Sequence, residues 1–529
     1  MEQKNNNLSK LYNKLSVKRD EFLDRGRECA ELTLPAILPH EGFGSSDDLY
    51  TPYQSVGSRG VNNLASKLLL LLLPPNAPFF RLSLSGKVRE ELEQDPKLKT
   101  SVEKSLAKIE REVMNAIEQS ALRVPVFSAL KHLIITGNVL VHFPKDGQMK
   151  IYPLSQYCIK RDSQGNLLEI VIKESVSPLS LSVEVRAACQ VTDADEEIDL
   201  YTCIKRQEDG KYSGYQECNK VEIPGSYGTY KEDDLPYIPL RMIRVDTEDY
   251  GRSYCEEFLG DLKSIEGLSK ALLESAAASS KVVFMVKPNA LTKKRDLVES
   301  DNGDIITGVR DDVAVLQTEK QYDLQIVERT INTIAERLSY DFLLQSAVTR
   351  DAERVTAEEI RKLANELESA LGGIYSLLSQ ELQLPLVNLL MKRLSAKQMI
   401  PKLPKGSIQP TIITGVEALG RGNDLQKLRE FVQDMTALAG VNPQAAELIN
   451  INDLITRIAT SHGIDTEGLI KDEEQIAQEQ QQAQADQAGQ AAIDQGMGPA
   501  IQGAVDGVRD GSVTPEQISQ AVQQIPGGN

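Results

Sequence analysis

The sequence predicts an α+β protein in which a helical N-terminal region, a β-rich middle and a second, extended helical region follow one another. Three observations predict it. Before residue 137, apolar residues recur at helical spacing, as in Leu8, Leu15, Phe22 and Cys29. From 137 to 245 they fall in short strand-like runs between turn residues, such as Lys145-Asp-Gly147, Asp162–Asn166 and Glu208-Asp-Gly210. Beyond Tyr254 two long helical patterns flank a small β segment, and a third follows a charged loop.

The N-terminal helix ends before Pro35, and residues 40–53 form a loop rich in Gly, Ser, Asp and Pro. Thr51–Leu68 is a loop running into a helix. The apolar run Leu68–Leu73, closed by Pro74-Pro75, is far short of the ~20 residues of a membrane helix and predicts a buried helix end. Val102, Leu106, Ile109, Val113 and Ile117 predict a helix over Ser101–Ala121, and Phe127, Leu130 and Ile134 another after Pro125. At Gly137-Asn138 the period changes, and Val139–Phe143 with Met149–Tyr152 predict a hairpin. Leu168–Ile172 is a strand candidate, and Ile198–Lys205 with Lys211–Glu217 predict another hairpin.

Phe258, Leu262, Ile265, Leu272 and Ala276 carry a helix of about 40 Å to Lys281. The β segment then offers strands at Val282–Val286, Asp304–Thr307 and Val313–Leu316, and a basic cluster, Lys293-Lys294-Arg295. Val327, Ile331, Ile334, Leu338 and Phe342 line one face of the next helix. A charged loop, Ala347–Val355, leads to Thr356 and Glu359 at capping-box spacing. The helix from Thr356 to Leu384 would be about 43 Å long, with Gly372-Gly373 as its bend. A β module held on two long helices is not how a single compact core is built; it stands away on a stalk. After Pro385 a helix continues through Val387, Leu390 and Leu394, until Pro401, Pro404 and Pro410 end it. Helical sets follow over Gly415–Gly440 and Leu448–Ala459, then a Gln- and Ala-rich stretch and a Gly-, Asp- and Gln-rich end.

The chain has 529 residues, 41% hydrophobic and 26% charged, as in soluble globular proteins of several domains. A net charge of −18 argues against a simple nucleic-acid binder and favours repulsion between copies. The six cysteines form no CxxC pair and are read as buried reduced thiols in a cytosolic setting. The polar opening Met1–Leu8 is no signal peptide.

Enzyme motifs are missing. Gly86-Lys87 is the nearest approach to a phosphate-binding loop, but Val88 follows and no glycine lies five residues earlier. His40, His132, His142 and His462 lack ligand spacing, and no metal or other cofactor is expected. A dispersed carboxylate site, as in metal-dependent nucleases, stays open. Lys293, Lys294 and Arg295 are either a solvated loop or a contact for nucleic acid or an acidic partner. Arg350 and Arg354 alternate with Asp351 and Glu353, so they either pair internally or touch a ligand.

Several stretches carry a family resemblance: Thr51–Leu68, Ile135–Val141, Tyr237–Met242, Tyr250–Leu262, Arg354–Ile360, Leu371–Leu386 and Gly415–Asp424. In their number and order the chain resembles the portal proteins, or head-to-tail connectors, of short-tailed phages. The Gln-rich tail matches poorly. The resemblance implies a portal fold assembled as a twelve-subunit ring: wing 1–253, stem helices 254–281 and 323–346, clip 282–322 and tunnel loop 347–355. It further implies a long bent wing helix 356–400, a crown 401–470 and a C-terminal helix and tail 471–529. It implies a non-enzymatic channel at one capsid vertex for genome packaging, retention and ejection, made in the host cytoplasm and carried in the virion. The implied partners are copies of itself, double-stranded DNA without sequence preference, the terminase large subunit, a tail adaptor, scaffolding protein, major capsid protein and internal core proteins, with no insertion into a membrane. Arg350 and Arg354 would then face the DNA, Lys293–Arg295 the motor or adaptor, and Gly372-Gly373 would turn the wing helix. Two other readings stand beside it: a metal-dependent nucleic-acid-processing enzyme, and an internal virion or scaffold protein without a channel.

Overall fold

A computed structural model describes residues 7–44, 46–75, 79–84, 96–145, 148–189, 197–279, 283–316, 321–344, 367, 371, 373–399, 410–414, 431–435, 454–455 and 458. The chain divides into two compact units, Met1–Gly420 and Arg421–Asn529. In the second, residues 431–435 are helical.

The first unit opens with α1 (Leu8–Glu31), α2 (Val56–Leu72), β1 (Phe80–Leu84), α3 (Pro96–Gln119) and α4 (Arg123–Thr136). Asn7 caps α1 by accepting the Lys10 N–H at 3.2 Å, and buried Glu217 accepts the Leu8 N–H at 3.1 Å. Gly137 ends α4 at φ +74°; a Cβ there would lie 2.4 Å from the Arg252 backbone, so only glycine lets the chain turn into the next strand.

The β-rich middle holds β2 (Asn138–His142), β3 (Lys150–Tyr152), β4 (Tyr157–Arg161), β5 (Leu167–Val176), the short helix α5 (Val183–Ala188), β6 (Ile198–Arg206), β7 (Tyr212–Cys218), β8 (Val221–Glu222), β9 (Gly228–Tyr230) and β10 (Tyr237–Arg241). The expected hairpins form, β2 with β3 and β6 with β7. Asp162 closes the turn between β4 and β5 by accepting the Gln164 and Asn166 N–H groups at 2.9 and 2.8 Å. A six-stranded sheet runs β4-β5-β6-β7-β8 with β9 also on β7, and a three-stranded sheet runs β10-β2-β3. Pairing of β10 on β2 was not legible locally, because the two strands are far apart in sequence.

Then come α6 (Tyr254–Glu257), α7 (Leu259–Ser279), β11 (Val283–Val286), α8 (Lys294–Glu299), β12 (Val313–Leu316), α9 (Gln321–Asp341), α10 (Ile374–Leu378), α11 (Leu384–Ala396) and β13 (Pro410–Thr414). The helix expected from Tyr254 onward breaks at Phe258, and its last expected residues, 280–281, lie outside the described ones. Asp304–Thr307 is not a strand: Gly303 turns the chain at φ +103°, and the Asp304 side chain accepts the Asp301 N–H. β13 pairs with β1, joining residues beyond 401 to the N-terminal part of the unit.

One main core unites α2, α4, β2 and α11 through Leu64, Leu68, Leu71, Leu130, Leu133, Val139, Val141, Leu386 and Leu390. A smaller cluster seats Leu8 and Tyr12 of α1 on Cys158, Val171, Tyr201 and Cys203 of the six-stranded sheet. Among the described residues no helix is long and apolar enough to cross a membrane.

Candidate functional site

α7 and α9 lie side by side. Near the start of α7, Asp261 accepts a hydrogen bond from Arg337 near the end of α9 at 2.9 Å, so the two helices run antiparallel. Their shared face buries Leu262, Ile265, Ile334 and Leu338. The expected apolar row of α9 is graded: Val327 and Ile331 are half-buried, whereas Ile334, Leu338 and Phe342 are buried close to the body. Farther out a two-helix layer has nothing to bury against. Ile326 is 64% exposed and Tyr322 83%, and on the β11–β12 ribbon Phe284 is 61% exposed.

α9 ends in a Schellman motif built without glycine. Leu343 takes φ +56°; its N–H reaches Tyr340 O at 3.0 Å, and the Leu344 N–H reaches Ser339 O at 2.7 Å. The carbonyls left over are all taken by side chains of the body. Tyr254 Oη donates to Asp341 O at 2.8 Å, and Asn63 Nδ2 donates to Phe342 O and Leu343 O at 3.0 Å each. Lys67 Nζ, on the same face of α2 one turn later, donates to Leu343 O at 2.7 Å. A buried ammonium at a helix C-terminus meets both the carbonyl and the negative end of the helix dipole. Gly60, one turn before Asn63, admits the Phe342 ring; a Cβ there would lie 2.6 Å from its Cγ.

Helix α10 begins after Gly373, which stands at φ +93° as its N-cap, so the helix expected to continue through Gly373 to Leu384 is interrupted there. A π turn, Ser379–Gln383, joins α10 to α11. Pro385 explains it: proline has no N–H to give to Glu381 O, and its ring would strike that carbonyl in a regular α-turn. The turn aims two side chains into the body. Glu381 accepts from the Arg241 backbone N–H at 3.0 Å and pairs with its guanidinium. Gln383 Nε2 donates to Leu72 O at 2.8 Å. Helix α2 therefore holds the chain on both sides of 345–366, at Leu343 through Lys67 and at Gln383 through Leu72.

α2 is itself tied to α7. The Glu266 carboxylate accepts from Tyr50 Oη, Tyr53 N and Gln54 N at 2.5, 3.0 and 3.3 Å. The Gln54 side chain accepts the Gly57 N–H at 2.9 Å and donates to Leu32 O at 2.7 Å, joining the end of α1, the start of α2 and α7. The Glu266 hydrogen bond, with burial second, pushes the Tyr50 hydroxyl up to about 12.

At the far end, β11 and β12 form an antiparallel ribbon. Asp312 folds the segment between them by accepting the Leu291 N–H at 2.9 Å, and Thr292 Oγ1 accepts the Val309 N–H at 3.0 Å. Lys293 is the N-cap and Lys294 and Arg295 the first residues of α8, so the segment expected as a loop or contact winds into a short helix here. Arg295 pairs with Glu299 at 2.8 Å and is 82% exposed.

Arg350, Arg354 and Gly372 lie outside the described residues. Asn63, Lys67, Arg241 and Glu381 did not stand out in the sequence. The signal for the first pair was present: Gly60, Asn63 and Lys67 recur at helical spacing on the face that carries Leu64 and Leu71. Among the described residues no three His, Cys, Asp or Glu side chains gather as a metal-binding set.

Comparison with known proteins places this architecture. A family model for "Bacteriophage head to tail connecting protein" matches residues 5–470. The portal protein of Escherichia phage T7 is 42% identical over 525 residues, 97% of this chain and 96% of the relative. That of Enterobacteria phage T3 is 44% identical over 473 residues, 88% of each chain. That of Enterobacteria phage SP6 is 31% identical over 505 residues, 94% of this chain and 96% of the relative. From residue 5 to residue 470 and beyond, the chain belongs to the bacteriophage head-to-tail connecting proteins, the portal proteins of short-tailed phages.

Proposed function

We propose that this portal protein works as a twelve-membered ring at one capsid vertex, whose channel passes DNA during packaging, retention and ejection. The observation that carries the reading is the apolar surface left on the helix pair and ribbon. Phe284, Met285, Leu273, Tyr322 and Ile326 are exposed on elements too thin to bury them. Neighbouring copies would cover them, and a stem of paired helices from each copy would line the channel. Ring formation would also distribute the −18 charge of each chain around the channel, leaving sparse phosphate contact, as a sliding polymer requires. Replacing Ile326 and Phe284 by serine tests this. Wild-type protein is expected to sediment as a large oligomer and the variant as a smaller species; two identical monomeric profiles would overturn the reading.

Within that ring, residues 254–281 and 323–346 serve as stem, 282–322 as clip, 347–355 as the tunnel loop and 401–470 as crown. The clip docks the terminase large subunit during packaging and the tail adaptor afterwards, with Lys293, Lys294 and Arg295 in the contact. Arg350 and Arg354 touch DNA phosphates without sequence preference. Scaffolding, capsid and internal core proteins complete the set of partners, and the chain itself is non-enzymatic.

A further inference from the structure

We propose that Cys189 and Cys218 are a modification site: two thiols that close to a disulfide when the protein meets a peroxide-class oxidant. Cys189 ends the six-residue helix α5, and its N–H reaches Val185 O at 2.9 Å. Its carbonyl accepts from Asn219 Nδ2 at 3.1 Å, which fixes the end of α5 beside the end of β7. Asn219 and Lys220 both have positive φ, 49° and 66°, as in the tight turn of a two-residue hairpin. That turn sets Cys218 opposite Val221 on one side and Leu200 on the other. Both cysteines are buried with Leu200 and Ile223 in a small cluster apart from the main core. Burial first, and the adjoining Cys189 thiol second, push the Cys218 thiol up to about 12. The enclosed Cys218 thiol is therefore protonated and slow to react, and oxidation proceeds through a small outward movement of α5.

The other cysteines are placed differently. Cys158 and Cys203 share a cluster, but Val171 of β5 stands between them, opposite each in the sheet. Two strand spacings, about 9.5 Å, exceed what a disulfide spans. Cys29 and Cys255 lie in the main core, where the Cys29 thiol meets Ser253 Oγ at 3.9 Å and Cys255 is wholly enclosed. Both are held by the packing of the main core rather than in a small cluster apart from it.

The chemistry balances. One thiolate attacks the peroxide oxygen, giving a sulfenic acid and releasing the alcohol or water. The second thiol then displaces water from the sulfenic sulfur to form the S–S bond. In a reducing cytosol the pair stays a dithiol; in an oxidising medium it fastens α5 to the β7–β8 turn.

The test treats the full-length protein with hydrogen peroxide, unfolds it in iodoacetamide and maps the peptides. The expected result is an intact mass lower by about 2 Da before alkylation, a linked Cys189–Cys218 peptide reversed by dithiothreitol, and alkylation of the other four cysteines. Cys189→Ser should leave Cys218 without a disulfide. Recovery of both peptides alkylated, oxidation of each to separate acids, or linkage to a different cysteine would each overturn the proposal.

Discussion

The Lys67 ammonium donates to the Leu343 carbonyl at 2.7 Å across 276 residues of sequence, in a buried site. This bond ties the last turn of α9 to the helix that runs through the main core, and Asn63 reinforces it from one turn away. The end of the helix pair is thereby a fixed point.

Lys67→Met should lower stability by ~1–3 kcal/mol, because Leu343 O loses its charged donor while buried. Asn63→Leu should act in the same direction. The double variant should depart from additivity, since both side chains serve one carbonyl. Urea-denaturation midpoints of the four proteins check this; an unchanged midpoint for Lys67→Met would contradict it.

Gly60→Ala should cost ~1–3 kcal/mol by overpacking, because the new Cβ would stand 2.6 Å from Phe342 Cγ. In a Phe342→Leu background most of that cost should vanish. A penalty of equal size in both backgrounds would show that the glycine acts through the backbone instead.

Glu381→Ala leaves the Arg241 guanidinium buried without its carboxylate, and breaking such a pair costs ~3–5 kcal/mol. Arg241→Met combined with Glu381→Leu should recover part of it, since neither charge then remains. Thermal melts of the single and double variants give the comparison.

How far these contacts were legible depends on their range. The apolar row of α9, the Asp162–Asn166 turn and the β6–β7 hairpin follow local periodicity and turn chemistry, so residues near in sequence report them. Nothing in the sequence around Glu381 singles it out. Its role depends on a π turn forced by Pro385, and on Arg241 far away in the chain. Lys67 precedes a leucine run, and nothing near it in the sequence names Leu343, 276 residues away, as its partner. The pairing of β1 with β13 is equally invisible, because each is a five-residue strand whose partner is set by the packing of the whole unit. Of the site residues expected from the sequence, the structure describes Lys293, Lys294, Arg295 and Gly373.

Acid should weaken the fold through His132. Burial lowers its pKa from 6.5 to about 4, so the folded chain resists a proton that the unfolded chain accepts. The stabilisation is complete above pH 6.5 and is lost as pH falls toward 4, up to ~3 kcal/mol for this one group. His142, stacked on Tyr237 at 4.2 Å, shifts in the same direction, chiefly by burial. Denaturation midpoints from pH 7 to 4 should fall, and His132→Leu should flatten that fall; a parallel curve would remove His132 as its source.

Charge reversal at Lys293, Lys294 and Arg295 should weaken docking of the packaging motor or tail adaptor while rings still assemble. Loss of the ring would assign the cluster to assembly instead. Arg350→Gln with Arg354→Gln should reduce packaging and DNA retention; unchanged values of both would remove these residues from contact with DNA.

The ring itself is most directly tested by electron microscopy of the purified full-length protein. The expected class averages show closed rings with twelve-fold symmetry, a central hole and a narrow stalk at one end. Particles without a hole, or monomers at the same concentration, would contradict the channel function.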